Sequence, residues 1–133
     1  MTEVNDAPAT PAEQALLDFA TRYPESHIDL PWGHFAVKVA GKKAFLFLSK
    51  GGKRLTGSVK LSITAAEALQ LPFTTPTGYG LGRHGWVSFD LDPADVPSAL
   101  LQEWIDESFR SVALKRLVKQ LPSEGPPADT ASA

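Results

Sequence analysis

The run Leu55-Thr-Gly-Ser-Val-Lys-Leu-Ser-Ile63 places Leu55, Gly57, Val59, Leu61 and Ile63 in alternation with Thr56, Ser58, Lys60 and Ser62. A period of two is the pleat of a strand, and a helix would scatter these apolar residues round its whole surface. The run therefore predicts a strand with one face on a core and one face polar. Two more strands precede it at hairpin spacing. Phe35, Val37 and Val39 alternate with Ala36, Lys38 and Ala40, and Ala44-Phe-Leu-Phe-Leu48 is apolar throughout, as suits a central strand buried on both faces. Gly41-Lys42-Lys43 and Ser49-Lys50-Gly-Gly-Lys53-Arg54 are the turns between them. The three strands form an antiparallel meander, and Phe35, Phe45 and Phe47 are assigned to the core.

Helical signals flank the meander. Thr10-Pro-Ala-Glu13 is a capping box with proline at the first helical position, followed by Leu16, Leu17, Phe19 and Ala20 at helical spacing. Tyr23-Pro24 ends that helix, since the residue before proline is pushed out of helical geometry. Ile28 and Leu30 allow a short strand that Pro31 breaks. Thr64-Ala-Ala-Glu67 reads as a second capping box, opening a short helix that Pro72 stops. Trp86–Leu91 alternates as a strand, and Asp90, Asp92 and Asp95 lead into the last helix, where negative charge suits the helix dipole. Its stripe is Leu101, Trp104, Ile105, Phe109, Val112, Ala113 and Leu117, and Leu121-Pro122 ends it.

This order, a helix, three strands, a helix, two strands and a helix, predicts an α+β two-layer sandwich with helices on one face of an antiparallel sheet. At 133 residues there is room for one ordinary domain. It is expected over residues 10–121, between a disordered lead-in at 1–9 and a disordered tail at 122–133. The first residues lack a secretory signal and no apolar run spans a bilayer, so the expectation is a cytoplasmic protein with no membrane partner.

Most catalytic chemistries find no support. Without cysteine there is no disulfide, thiolate metal site or thiol nucleophile. Gly80-Leu-Gly82-Arg83-His84-Gly85 spells a dinucleotide-binding pattern, but that pattern must open a helix, and here the strand beginning at Trp86 follows. His27, His34 and His84 have no partner at ligand spacing, and Asp90, Asp92 and Asp95 lack the glycine and glutamate of a calcium loop. No G-x-S-x-G elbow occurs. Asp106 and Glu107 fall on the solvated side of the last helix. The expectation is no enzyme, no cofactor and no metal.

Charge is distributed unevenly. Lys38, Lys42, Lys43, Lys50, Lys53, Arg54, Lys60 and Arg83 lie between Ala36 and Phe89 with Glu67 as the sole acid, although the chain as a whole has a net charge of −2. A basic middle suits an anionic partner. The two hairpin turns lie at opposite ends of the central strand, about 17 Å apart, so their lysines are two separate wings. Wings of that kind can grip a long polyanion such as duplex DNA. A single-strand platform is not indicated while Phe35, Phe45 and Phe47 count as core.

The ordered series Leu30-Pro-Trp-Gly33, Phe35-Ala-Val-Lys38-Val, Gly41-Lys42-Lys-Ala-Phe45, Val59-Lys60-Leu61, Pro76-Thr-Gly-Tyr79, Arg83-His84-Gly-Trp86-Val and Ile105-Asp-Glu-Ser108-Phe109 resembles the MmcQ/YjbR-like family of small bacterial proteins. The resemblance covers about residues 12–121, and departs from the family where Gly85 separates His84 from Trp86 and where Gly80 and Gly82 enrich the loop. It implies a CyaY-like or secretion-chaperone-like fold, no established enzymatic activity, and a DNA-binding label founded on a double-wing motif. Lys38, Lys60, Arg83, His84 and Trp86 match recurrent family positions. Three readings stay open. The first is phosphate contacts to nucleic acid through Lys38, Lys42, Lys43, Lys50, Lys53, Arg54, Lys60, Arg83 and His84. The second is a protein partner on the sheet face or an edge strand, and the third a small anionic ligand held by Tyr79, Arg83, His84 and Trp86.

Overall fold

The computed structural model describes residues 8–30, 33–41, 43–78, 80–123 and 127. Of the expected site residues, Lys42 and Tyr79 lie outside this set, as do most of the lead-in and the tail. The helices are α1 (Pro11–Ala20), α2 (Ala65–Ala68), α3 (Ser98–Val112) and α4 (Lys115–Val118). The strands are β1 (Ser26–Asp29), β2 (Phe35–Val39), β3 (Lys43–Leu48), β4 (Leu55–Lys60), β5 (Thr74–Pro76) and β6 (Trp86–Leu91). They form one six-stranded sheet in the order β1-β2-β3-β4-β6-β5, every pairing antiparallel. The α+β class is as expected; the short strand around Ile28 is real and extends the meander from three strands to four.

One face of the sheet and the inner sides of the helices make a single apolar cluster. Val37, Leu46, Leu48, Leu55, Val59, Val87 and Phe89 from the sheet meet Leu17, Phe19, Leu101, Ile105 and Phe109 from the helices. Each such side chain removed from water contributes about 1.5–3 kcal/mol. Gly57 faces this core because nothing larger fits: a Cβ there would collide with the Phe47 carbonyl oxygen and lie 2.7 Å from Phe89 Cζ.

The central strand departs from its expected packing. Val37 pairs with Leu46 but Lys38 pairs with Ala44, so Phe45 is an extra residue in β3. This β-bulge lets two successive residues, Phe45 and Leu46, both turn to the core, where each is fully buried. Phe45 stacks edge-on against Phe109 and Tyr23 at centroid distances of 5.0 and 6.0 Å. Phe47 is thereby sent to the other face and is only half-buried, outside the core cluster to which its apolar run assigned it.

Three termini also differ from expectation. β4 stops at Lys60, and Ile63 is 84% exposed. α3 stops at Val112: Ala113 and Leu114 are extended before the short α4, so the apolar stripe runs across a break. Pro97, not an aspartate, is the N-cap of α3; Asp90 instead pairs with Arg54, and Asp92 accepts from the Ala94 amide. At the other end of the chain the first capping box forms, and its Glu13 does more than close a helix turn. Fully buried, it accepts from the Thr10 and Gly51 amides and the Ser49 hydroxyl, tying α1 to the β3–β4 turn.

Candidate functional site

All four helices contribute to the core on one side of the sheet, and the other side is open between its half-buried side chains among the described residues. Register decides what that open face carries. Phe47 is opposite Ser58, Ser58 opposite Ser88, and Lys60 opposite Trp86. Directly opposed residues share a face, so these side chains stand together. The Phe47 and Trp86 rings meet at 5.6 Å, leaning towards each other over β4, where Ser58 is small enough to leave room. On the far side of Phe47 the His34 ring lies 6.1 Å away. Ser58, Ser88 and Thr77 form a chain of hydroxyl contacts at 3.0 and 2.9 Å across β4, β6 and the end of β5.

Two shallow depressions flank the Phe47 ring. One, of about 360 Å³, is lined by Lys43, Lys60, Trp86 and Leu81, and its base includes Ser111 and Val112 of α3. The other, of about 300 Å³, is lined by His34, Thr56, Ser58 and Ser88. Part of the first exists because β3 and β4 separate beyond Phe47–Ser58. There the Ser108 hydroxyl takes the place of a ladder hydrogen bond, accepting from the Lys60 amide at 2.8 Å and donating to the Phe45 carbonyl at 2.6 Å.

The expected cations divide into three groups. Lys38 and Arg54 reach the open face or its margin but are neutralised there. Lys38 Nζ lies 3.0 Å from Asp29, and Arg54 Nε lies 2.7 Å from Asp90. The Lys38 ammonium, with the Leu30 amide, holds the Asp29 carboxyl below the usual aspartate value. Lys43 and Lys60 line one depression, and among the described residues neither has an acidic partner. Lys50 and Lys53 sit on the β3–β4 turn at the opposite end of the strand, so the hairpin cations are as separated as the meander required.

The glycine-rich loop contains a single 3₁₀ turn, Leu81–His84, between Gly80 and Gly85, and β6 follows it. Gly85 has φ +90°, and a Cβ there would lie 2.8 Å from the Leu61 carbonyl oxygen, so its place between His84 and Trp86 is a backbone requirement. Arg83 and His84 are exposed on this turn and do not line the depression that Trp86 and Leu81 line. The loop thus contributes an aromatic and a leucine to the face, with Arg83 outside it.

Several residues that the sequence placed in water turn out to organise the site's frame. Asp106 accepts from the Tyr23 hydroxyl at 2.7 Å and pairs with Arg110 at 2.9 Å. Burial first, then this bond, pushes the Tyr23 phenol well above its ordinary value. Glu107 accepts from the Ile63 and Thr64 amides and the Thr64 hydroxyl, so Thr64 makes no cap for α2 and Glu67 is free of that role. The signal was present: an acid pair one turn from the end of an otherwise apolar stripe, beside a serine that proves fully buried.

Among the described residues no His, Asp and Glu cluster could hold a metal ion, and no helix is long and apolar enough to cross a membrane. Comparison with family models gives one described as YjbR, matching residues 21–111. No curated protein matches the chain.

Proposed function

From the premise that the chain belongs to the YjbR family, we propose that it is a non-enzymatic, cytoplasmic, nucleic-acid-associated protein that contacts phosphates through one end of its open sheet face. The observation that carries this reading is the pair Lys43 and Lys60, unpaired among the described residues and lining one depression beside Trp86. Arg83, exposed on the adjoining turn, adds a third cation at that margin. Such contacts position a polyanion without reading its sequence. Among the described residues no helix offers a base-reading face, so sequence specificity is low.

Fluorescence anisotropy with labelled duplex DNA and with the same sequence as a single strand, at low and rising salt, tests the reading. Affinity falls steeply with salt. Lys43→Glu with Lys60→Glu weakens binding and lowers the salt slope by roughly one for each phosphate no longer neutralised. Absence of binding to either oligonucleotide at low salt would refute it. A second reading, a protein partner pairing along the β1 edge, draws on the exposure of Ile28 and Leu30 there. Recovery of a stoichiometric protein partner carrying no nucleic acid at low salt would favour that reading instead.

A further inference from the structure

We propose that the open face is a stacking platform for a short stretch of single-stranded nucleic acid, an inference that rests on the nucleic-acid reading and specifies its ligand. A base stacks on the ring faces of Trp86 and Phe47 in the first depression, and a neighbouring base lies beyond Phe47 towards His34 in the second. The two depressions share Phe47 as their dividing wall, which gives successive sites along one chain.

The chemistry of each part suits an unpaired strand. Aromatic faces bind any base, since every base has a π-face, but only when that face is free. In a duplex the base faces are stacked inside and the surface shows phosphates and groove edges, so the Phe47–Trp86–His34 row would meet nothing it can stack on. The hydroxyl chain of Ser58, Ser88 and Thr77 runs beside the rings, and its oxygens can donate or accept, which matches the mixed edges of unpaired bases and a ribose 2′-hydroxyl. Around the rings, Lys43 and Lys60 line the depression beside Trp86, while Asp90 holds Arg54 at the other end of β4 and Lys50 and Lys53 lie beyond it on the β3–β4 turn. That distribution grips one or two phosphates and leaves the rest of the contact to the rings. A duplex track would need free cations along the whole length.

The test compares a labelled single strand of about a dozen nucleotides with its duplex at low salt, using the full chain. The single strand is expected to bind at least ten-fold more tightly than the duplex. Phe47→Leu and Trp86→Leu keep apolar bulk but remove the ring face, and each is expected to weaken single-strand binding by roughly ten-fold. Trp86→Phe keeps a ring and retains most of the affinity. Should a leucine variant fail to fold, seen by circular dichroism, the Trp86→Phe result and the strand-to-duplex ratio still decide. Equal binding of strand and duplex, unaffected by loss of either ring, overturns the platform while the phosphate reading survives. Binding to neither overturns both. A concentration-dependent dimer in sedimentation, abolished by the leucine variants, would assign the face to a second copy of the chain and also overturn the proposal.

Discussion

Ser108 is a small residue with two obligations. Its hydroxyl accepts from the Lys60 amide and donates to the Phe45 carbonyl, in a place with no access to water. Both partners are backbone groups that would otherwise be left unpaired, Phe45 because it is the bulge residue and Lys60 because β4 has no partner on its β3 side there. A buried backbone group without a partner costs about 1–3 kcal/mol. Ser108→Ala is therefore expected to lower stability by about 2–4 kcal/mol in urea or thermal unfolding, although it removes a single oxygen. A change under about 0.5 kcal/mol would mean that the strands close up and pair without it. Position matters as much as stability. Ser108 holds β3 and β4 apart at the end where Lys43 and Lys60 line their depression, so the residue links the packing of α3 to the shape of the candidate site.

At the scale of elements, α4 is held by Leu117, fully buried in the core cluster, and by one forked contact on its exposed side. Arg116 reaches Glu25, next to β1, through two hydrogen bonds of 2.8 and 3.3 Å. Glu25 sits at φ 56°, unusual for a side-chain-bearing residue, on the turn between α1 and β1. The Arg116 hydrogen bond holds its carboxyl below the usual glutamate value. A depressed folded value means that the contribution is present above the unfolded glutamate value and is lost as pH falls through the folded one. Melting temperatures of the chain and of Glu25→Gln are expected to differ at neutral pH and to converge under acid; a gap that persists or widens there would assign the effect to the turn's backbone. How the elements can be read from sequence follows the same local logic. Alternation in Phe35–Val39, Leu55–Leu61 and Trp86–Leu91 marks the strands because half-buried pleats leave a period of two. Thr10 and Glu13 mark the start of α1 because both halves of a cap are close in sequence. Thr64 and Glu67 have the same spacing, yet the partner Thr64 finds is Glu107, which is distant in sequence and cannot be paired with it from spacing. The face that Phe47 takes is illegible for a related reason: one bulge residue inverts the face of every side chain beyond it, and nothing in Ala44–Leu48 announces the bulge. That inversion hides the part of Phe47 in the candidate site, while Trp86 and the cations are legible in the sequence.

For the molecule as a whole, composition understates the electrostatic asymmetry of the sheet. A net charge of −2 coexists with a depression at one end of the open face that Lys43 and Lys60 line, without an acidic partner among the described residues, while Lys38 and Arg54 are held by Asp29 and Asp90. Those two aspartates are exposed, so the pairs they form add little to stability and mainly determine where positive potential appears. Removing both acids should extend that potential across the face. In Asp29→Asn with Asp90→Asn, the amide oxygen of position 29 can still accept from the Leu30 amide, so the β1 end keeps its geometry. The double variant is expected to melt within a degree or so of the parent chain. It should bind a single-stranded oligonucleotide roughly three- to ten-fold more tightly at low salt, with a salt slope steeper by up to about 1.4 as Lys38 and Arg54 become available to phosphates. The gain should disappear at high salt, where counterion release no longer favours binding. If affinity and slope stay unchanged while Lys43→Glu with Lys60→Glu abolishes binding, the strand is confined to the Trp86 end. If neither pair of substitutions alters binding, the polyanion lies off this face, and the phosphate reading fails with the platform built on it.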